Sequence, residues 1–571
     1  MAKYVFLAGL LWLTACTTDP LEVHEVSTAE KAPVDDLNRV DLTEIPVGWS
    51  AGEGEILTAS APAKWELLPV QEAVTLAFSF RTEADTRATL LLGNRFPLNI
   101  PSLNLAGEHE ARNTVSTTPG IWQDLELAYL PARGTEPPLL VSAYLNNNLI
   151  YYQEPLTGGE GKAEGPLTLE LTAGSLQIAN VRSAPRAGRG SSVNSAGEVD
   201  LNLPLIRYAY YHVDGDPQDV TNWDALSPEK EGYISRFDLA AIRERGNAYA
   251  IRFTGDLEIP QAGAYTFRLW TPSSTRLYID DQLVVDKGGR DNGNELAGTV
   301  DLSKGSHRLR IDHYQYGFWN RLNVQYAYEG GEFRSLSDLP EDRAVATLTA
   351  GEVREVKTDD RPYLLRSFMN FPPVRVYDYT EKRTHVISVG EGDGPHYTYD
   401  LHNGSLLQMW RGRFVDVSDM WNGRGEPQVA RALGTVVAFD GRPQWSPEAE
   451  RWPDSIPELH HLRYDLDEAG RPTFHFALGE AQISDRVVPE GDGLLRTLTN
   501  TGGGESLLTQ LAAGRDIRQI SPGHFEVQGP GATVEVTELA TGRLRMLRGE
   551  GSDRLVAELP PGEHLTYRVS F

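Results

Sequence analysis

Cysteine is almost absent from this chain, because its 571 residues include only one. A single thiol excludes an internal disulfide, a zinc site built on cysteines and a c-type haem attachment, which needs two cysteines before a histidine. Basic residues are also scarce, 53 Lys and Arg against 80 Asp and Glu, so the formal net charge is -27. Such a surface repels phosphate backbones and anionic bilayers, and we predict no nucleic-acid partner.

Long hydrophobic runs are missing too, and none downstream of the N-terminus approaches the ~20 residues of a membrane-spanning helix. Glycine and proline recur instead, 54 and 35 times, between short stretches rich in Val, Leu, Tyr and Thr that favour strands. We predict an all-β chain, with three β-sandwich or β-barrel domains in tandem after a lipidated tether. The predicted segments are a signal peptide (1–15), a flexible tether (16–39), a sandwich (40–184), a linker (185–200), a barrel (201–340) and a last β domain (345–571).

The single cysteine, Cys16, follows a short secretion signal. Lys3 precedes an apolar run over residues 4–13, which is too short to span a bilayer. The sequence Leu-Thr-Ala-Cys that ends at Cys16 resembles the bacterial lipobox, which implies cleavage before this cysteine and a lipid on its thiol. The alternative is an ordinary secretory peptide with an accidental cysteine. Lipidation implies a lipid-anchored protein of the cell envelope, and Thr17 in place of an inner-membrane retention Asp favours the outer membrane.

The first domain shows strict apolar alternation from Val74 to Phe80, typical of a strand with one buried face. Its order of elements resembles the 3-keto-disaccharide hydrolase family, through Trp122 before a strand, the Leu-Asn-Asn-Asn-Leu hairpin at 145–149 and the closing strand at 176–182. The resemblance implies a concanavalin-like jelly roll. Residues 84–92 lack the polar Asn-Ser-Gly strand of that family, which favours a sugar-binding or structural sandwich over a hydrolase.

The second domain carries a Tyr-Thr-Phe-Arg-Leu-Trp strand ending at Trp270, followed by Leu-Tyr-Ile-Asp-Asp at 277–281 and Lys-Gly-Ser-His at 304–307. This pattern resembles the protective-antigen-type (PA-fourteen) domain, a β-barrel often attached to glycosidases and adhesins. Adhesin lectins of that family hold Ca²⁺ with an Asp-Asp pair in a loop that here, at 271–275, contains no carboxylate. We therefore predict no metal and no cofactor, and interpret Asp280 and Asp281 as turn residues. Calcium at the polar loop 291–295 is an open alternative, although its spacing is not that of an EF-hand.

The third domain concentrates the side-chain types that stack on sugar rings and bind hydroxyl groups. We predict carbohydrate contacts from seven residues of one segment: His396, Tyr399, Trp410, Arg411, Asp416, Trp421 and Arg424. The alternative is a β core with the indole of Trp410 buried. The segment resembles β-supersandwich regions found beside sugar-dehydrogenase and cytochrome modules, and later strands resemble galactose-mutarotase-like folds.

Two functions follow from these patterns. Zinc-protease, nucleophile-elbow, P-loop and dinucleotide-binding motifs are absent from the sequence. We predict a lipid-anchored envelope protein that binds carbohydrate or acts as a scaffold for separate sugar-oxidising or glycan-degrading enzymes, and that meets the membrane through its lipid alone. The alternative is a hydrolase acting on glycosides or 3-keto-sugars through the first or third domain, which requires converging acid and base groups in one pocket.

Overall fold

The structure, a computed structural model, describes residues 21–571 apart from 22, 32–37, 40–44, 53–55, 70–72, 108, 110, 133, 135, 147, 159–164, 186–190, 195–196, 204, 215–218, 221, 290–293, 318–319, 337–353, 372–380, 422–427, 447–451, 529–530, 540–542 and 551. The predicted signal peptide and Cys16 lie outside the described residues.

The regular secondary structure of the described residues is nearly all strand, which confirms the predicted all-β class. The strands up to residue 200 are β1 Val23–Lys31, β2 Asn38–Arg39, β3 Trp49–Ala51, β4 Leu57–Ser60, β5 Ala63–Leu68, β6 Val74–Thr82, β7 Arg87–Leu92, β8 Phe96–Ile100, β9 Gln123–Leu130, β10 Leu139–Leu145, β11 Asn148–Pro155, β12 Leu167–Ala173, β13 Ser175–Pro185, β14 Ser192–Val193 and β15 Val199–Asp200. Those from 206 to 335 are β16 Ile206–His212, β17 Lys230–Ile234, β18 Tyr249–Ile259, β19 Gly263–Trp270, β20 Ser274–Ile279, β21 Gln282–Lys287, β22 Glu295–Leu302, β23 Gly305–Gln315, β24 Asn323–Tyr328 and β25 Arg334–Ser335.

The remaining strands are β26 Glu355–Val356, β27 Tyr363–Phe371, β28 Glu381–Gly390, β29 His396–Asp400, β30 Ser405–Asp416, β31 Arg431–Ala438, β32 Trp445–Ser446, β33 Leu459–Leu466, β34 Pro472–Leu478, β35 Ala481–Glu490, β36 Gly493–Asn500, β37 Leu507–Gly514, β38 Asp516–Ser521, β39 His524–Gln528, β40 Ala532–Leu539, β41 Leu544–Glu550, β42 Asp553–Leu559 and β43 His564–Ser570. Helical structure among the described residues is limited to α1 Leu239–Ile242, α2 Ser418–Trp421 and a 3₁₀ helix at Trp223–Ala225. None of these helices is long and apolar enough to cross a membrane.

The chain divides into two compact units. The large unit comprises the described residues of Pro33–Tyr399 and Leu407–Ala438, and the small unit those of Met1–Ala32, Asp400–Leu406 and Phe439–Phe571. The segment predicted as one domain, 345–571, therefore contributes to both units.

In the large unit, the first domain is a two-layer sandwich. One layer has the strand order β11-β10-β9-β6-β13-β4-β3, with β2 also on β13, and the other has the order β5-β12-β7-β8. Leu76, Phe78 and Phe80 of β6 are buried between the layers, as their alternation predicts. The predicted hairpin is also confirmed, since β10 pairs with β11 through a turn in which Asn146 has a φ of 48°.

The second domain packs a six-stranded sheet (β17-β16-β18-β23-β20-β21) against a four-stranded one (β22-β19-β24-β25). Tyr265, Phe267 and Leu269 of β19 point into the core between them. The large unit also contains most of a sheet ordered β26-β30-β29-β28-β27, with β31 paired to β30.

The small unit contains two sheets. One has the order β1-β41-β42-β37-β32 and the other the order β33-β34-β35-β36-β43-β40-β39-β38. The presence of β1 corrects the prediction of a flexible tether over 16–39, because residues 23–27 and 31 of that segment form a parallel ladder with β41. The predicted linker at 185–200 is corrected in part as well. Its β14 and β15 pair with each other, and Val199 belongs to the core of the second domain.

Candidate functional site

One end of the second domain gathers several loops, of which three connect its two sheets. The pairing registers place Tyr249 beside His212 and Gln315, Ser274 beside Tyr314, and Trp270 beside Glu295. Strands β18, β20, β22 and β24 begin at this end, whereas β16, β19, β21 and β23 finish there. The described residues of 213–229, 243–248, 271–273, 288–294 and 316–322 therefore emerge together, and we call this region the loop end.

A tryptophan lies at the rim of the loop end, on the outer face of the four-stranded sheet. Trp270 is half-buried, and it sits in a cross-strand row between Glu295 and Asn323. The guanidinium of Arg321, an exposed residue, lies 4.0 Å from the centroid of the Trp270 ring. The side-chain oxygen of Asn323 is buried and has no hydrogen-bond partner among the described residues.

The next cross-strand row continues this polar surface. Arg268 donates to the side-chain oxygen of Gln325 at 2.7 Å and forms an ion pair with Glu295 at 2.9 Å. Its guanidinium also lies 3.9 Å from the ring centroid of Phe333. Aromatic rings bordered by fixed donors and acceptors offer the two kinds of contact that a sugar uses, a C–H face and hydroxyl groups.

At the loop end of the six-stranded sheet, on its outer face, Arg276 joins two carboxylates. Its guanidinium contacts Asp219, and its Nε lies 2.9 Å from Asp286. The hydroxyl of Ser274 also donates to Asp219. These contacts hold the pKa of Asp219 below its usual range, because hydrogen bonds and the nearby cation outweigh the effect of burial. At the loop end, the guanidinium of Arg276 thus balances the negative charge of Asp219 and Asp286.

A layer of buried polar side chains supports the loop at 271–273. The Nδ1 of His313 lies 2.8 Å from the hydroxyl of Thr275, and the hydroxyl of Ser273 donates to Gln315 at 2.8 Å. Burial lowers the pKa of His313 to about 4, so the ring is neutral at neutral pH. The loop at 271–273 is therefore fixed by hydrogen bonds of its own side chains.

The two consecutive aspartates lie at the opposite end of this domain. Asp280 and Asp281 form the two-residue turn between β20 and β21, with φ values of 48° and 64°. Aspartate tolerates this left-handed conformation, and the interpretation as turn residues is confirmed. Their carboxylates contact His307 at 2.7 Å and Arg310 at 2.9 Å. In the part of the chain that the structure describes, no three His, Cys, Asp or Glu side chains gather as a metal site.

The predicted sugar-contacting residues of the third domain are mostly interior. Trp410 is fully buried, stacks on Phe414 with 3° between the ring planes, and donates its indole N–H to the carbonyls of Arg413 and Phe414 at 3.1 and 2.9 Å. Stacking on a sugar requires an exposed ring face, so the expectation for Trp410 is corrected in favour of the core alternative. His396 lies 5.4 Å from the Trp410 ring and is also buried.

The other residues of that set form local hydrogen bonds, are buried or half-buried, or lie outside the described residues. His396 accepts a hydrogen bond from the backbone N–H of Glu391 and lies 3.0 Å from the carbonyl of Gly412, and burial lowers its pKa. Asp416 is buried and accepts from the N–H of Ser418 at the start of α2. Tyr399 is fully buried and Arg411 is half-buried. The side chain of Trp421 and all of Arg424 lie outside the described residues.

A further polar surface, which the sequence reasoning missed, lies on the outer face of the eight-stranded sandwich sheet. Asp124 and Glu126 alternate on β9 with Leu125 and Leu127, whose side chains are in the core, so both acids face outwards. The hydroxyl of Ser79, the cross-strand neighbour of Asp124, donates to its carboxylate at 2.7 Å.

Burial is the largest influence on Asp124 and raises its pKa, although the Ser79 hydrogen bond and the charge of Arg182 act in the opposite direction. A bulge in β13, where Asn180 has a φ of 55°, brings the amide of Asn180 to 3.4 Å from the Ser79 hydroxyl. The alternation in Gln-Asp-Leu-Glu-Leu could have predicted this surface, because it places two acids on the strand face opposite the buried leucines.

Comparison with known proteins identifies one of these regions. The PA14 domain family matches residues 238–336, so the chain carries a PA14 domain within the segment that showed the protective-antigen-type pattern. The anti-sigma-I factor RsgI3 of Acetivibrio thermocellus is 25% identical over 132 residues, which are 23% of this chain. The chain spans only 18% of the length of that relative.

Among solved structures, a PA14 sugar-binding domain from an RTX adhesin is 19% identical with a TM-score of 0.20, over 23% of this chain and 94% of that one. A β-glucosidase from Kluyveromyces marxianus is 12% identical with a TM-score of 0.20, over 67% of this chain and 48% of that one. The 3-keto-disaccharide hydrolase and β-supersandwich resemblances stay predictions.

Proposed function

We propose that this protein binds carbohydrate at the loop end of its PA14 domain and holds glycan at the cell envelope. The observation that carries the proposal is the row formed by Glu295, Trp270 and Asn323 on the outer face of the four-stranded sheet. It combines an aromatic ring, a carboxylate and an amide oxygen that is buried without a partner among the described residues. A buried acceptor of this kind is costly unless a ligand or water satisfies it.

The rim suits an uncharged, hydroxyl-rich ligand. The positive charge of Arg268 is paired with Glu295, which leaves the one guanidinium of Arg321 beside the Trp270 ring, too little charge to select a polyanion. Arg321 covers the Trp270 ring, and a sugar could displace this exposed side chain or extend the stack. Because Arg276 already supplies a cation to Asp219, we propose that binding needs no calcium.

The test is Trp270→Ala, assayed on a glycan array and then by titration of the glycan that binds best. Loss of one stacked ring should weaken binding about five- to tenfold. Tyr278→Ala is the matched control, because Tyr278 is also half-buried beneath an arginine, at 4.0 Å from Arg310, but lies next to the turn at the other end of the domain. Unchanged affinity in Trp270→Ala, or an equal loss in Tyr278→Ala, would remove the loop end as the binding site.

The same proposal includes a lipid anchor on Cys16, in the outer membrane, as the lipobox-like sequence implies. The partners would be separate sugar-oxidising or glycan-degrading enzymes that act on the glycan held by the PA14 domain. Mass spectrometry of the mature protein from the bacterial envelope tests the anchor directly, since Cys16 is the only thiol in the chain.

A second candidate function is glycoside or keto-sugar hydrolysis by the first domain, and Asp124 is the observation that favours it. A carboxyl group with a raised pKa, next to Glu126 on one sheet face, has the properties of a general acid. If the candidate is correct, Asp124→Asn should lower hydrolysis of a panel of aryl glycosides and 3-keto-glycosides roughly 10²–10⁴-fold. Glu170→Gln, on the other layer and paired with Lys64, is the control, and hydrolysis that survives in Asp124→Asn excludes this role.

A further inference from the structure

The N-terminal segment of the described chain is an integral part of the small unit. Strand β1 pairs with β41 in parallel from Val23 to Ser27, and again at Lys31. The side chain of Val26 packs on the cluster of Trp452, Leu508, Leu547 and Val556. Glu25 forms an ion pair with Arg548 at 2.9 Å. The chain is therefore held to this unit by backbone, apolar and ionic contacts from residue 23 onwards.

Just before β1, the chain lies against one hairpin of the small unit. A side chain added at Gly523, in the turn between β38 and β39, would meet the methyl groups of Leu21 at 3.4 and 3.7 Å. Next to this contact Ile520 is 65% exposed, and Ser521 and Pro522 are exposed as well. The tip of the hairpin therefore presents an apolar side chain beside the first described residue.

We propose that this hairpin tip, with Ile520 outermost, rests on the lipid surface to which the protein is anchored, a contact in addition to the lipid that the sequence alone predicts as the sole attachment. The inference depends on the proposed lipid anchor at Cys16. Five peptide units separate Cys16 from Leu21 and can span at most about 18 Å. Acyl chains in the bilayer place Cys16 at the interface, so Leu21 and the tip beside it must stay within that distance of the headgroups. An isolated exposed isoleucine can bury its side chain there.

The eight-stranded sheet of the small unit provides a matched comparison. Its two edge strands are β38, which carries Ile520, and β33, which carries Leu466. The two side chains are similarly exposed, at 65% and 55%. Seven strand spacings separate them, about 33 Å in all. If the unit rests on the membrane through the tip of the β38–β39 hairpin, Leu466 stays in water.

The experiment uses the full chain, lipidated in a bacterial host and reconstituted into phosphatidylethanolamine–phosphatidylcholine vesicles, which carry no net charge to repel the acidic protein surface. In Ile520→Cys and Leu466→Cys the introduced thiol is the only reactive one, because the lipid occupies the sulfur of Cys16. Each is labelled with an environment-sensitive fluorophore, and quenching by nitroxide-bearing phospholipids is measured. The expected result is at least threefold stronger quenching at position 520 than at 466.

Equal quenching at the two positions, stronger quenching at 466, or no quenching at either would overturn the docking surface. Mass spectra of the same samples separate this outcome from failure of the anchor. Protein without lipid on Cys16 overturns the proposed anchor, and the inference with it. Lipidated protein with the wrong quenching pattern overturns only the inference.

Discussion

At the scale of single residues, His313 is the clearest case of a side chain whose charge is set by its surroundings. It is fully buried on β23 and its pKa is lowered to about 4. The unfolded chain takes up a proton near pH 6.5, whereas the folded domain does not until about pH 4. The free energy of unfolding should therefore fall as the pH drops through this window, by up to about 3 kcal/mol, and level off below it.

We predict that His313→Gln removes this part of the acid sensitivity. The amide retains a polar partner for Thr275 but does not titrate. Thermal unfolding of the full chain between pH 7 and pH 4 should show the midpoints of the variant and the wild type converging as the pH falls. His524→Gln changes a half-exposed histidine paired with Glu535, and its unfolding midpoints should not converge with those of the wild type. Parallel curves for His313→Gln and the wild type would mean that the buried ring titrates normally.

At the scale of secondary-structure elements, β1 is the strand whose contribution can be tested most directly. We predict that removal of residues 17–31 exposes the edge of β41 and the core cluster that Val26 covers. Amide hydrogen exchange should become faster at the amides of Leu544–Glu550 that bond to β1, while those that bond to β42 and those of β19 in the large unit keep their protection. Removal of residues 17–20 alone, which leaves β1 intact, is the control. Retained protection of β41 in the longer deletion would show that its ladder with β1 contributes little.

The elements that the sequence could predict are those whose signal is local. The alternation from Val74 to Phe80 and the asparagines near 146 define a strand and a turn without reference to the rest of the chain. In β1 the sequence Val-His-Glu-Val-Ser-Thr-Ala-Glu-Lys has no alternating apolar face, and its partner β41 lies near the other end of the chain. No local pattern could therefore predict it.

At the scale of the whole molecule, the types of residue in a segment did not indicate which of them lie on the surface. The aromatic and charged residues between His396 and Asp416 resemble a binding site, yet Trp410 satisfies its N–H on backbone carbonyls inside a core. The Trp270 row instead depends on three strands that meet through cross-strand register. The PA14 pattern was recognisable because its turns and alternating strands occur in one continuous segment, 238–336.

The pairing of β1 with β41 also has a temporal consequence. Glu25 and Arg548, which form an ion pair across these strands, are 523 positions apart in the chain, so a ribosome produces the first strand long before its neighbour. Contacts between such distant segments form slowly, because the loop between them must close first. A polypeptide interrupted anywhere before Leu544 would display β1 without a partner, and the resulting strand edge is a ready target for proteases and chaperones. Incomplete translation products would thus differ from the complete protein in having an unpaired β1 near their N-terminus.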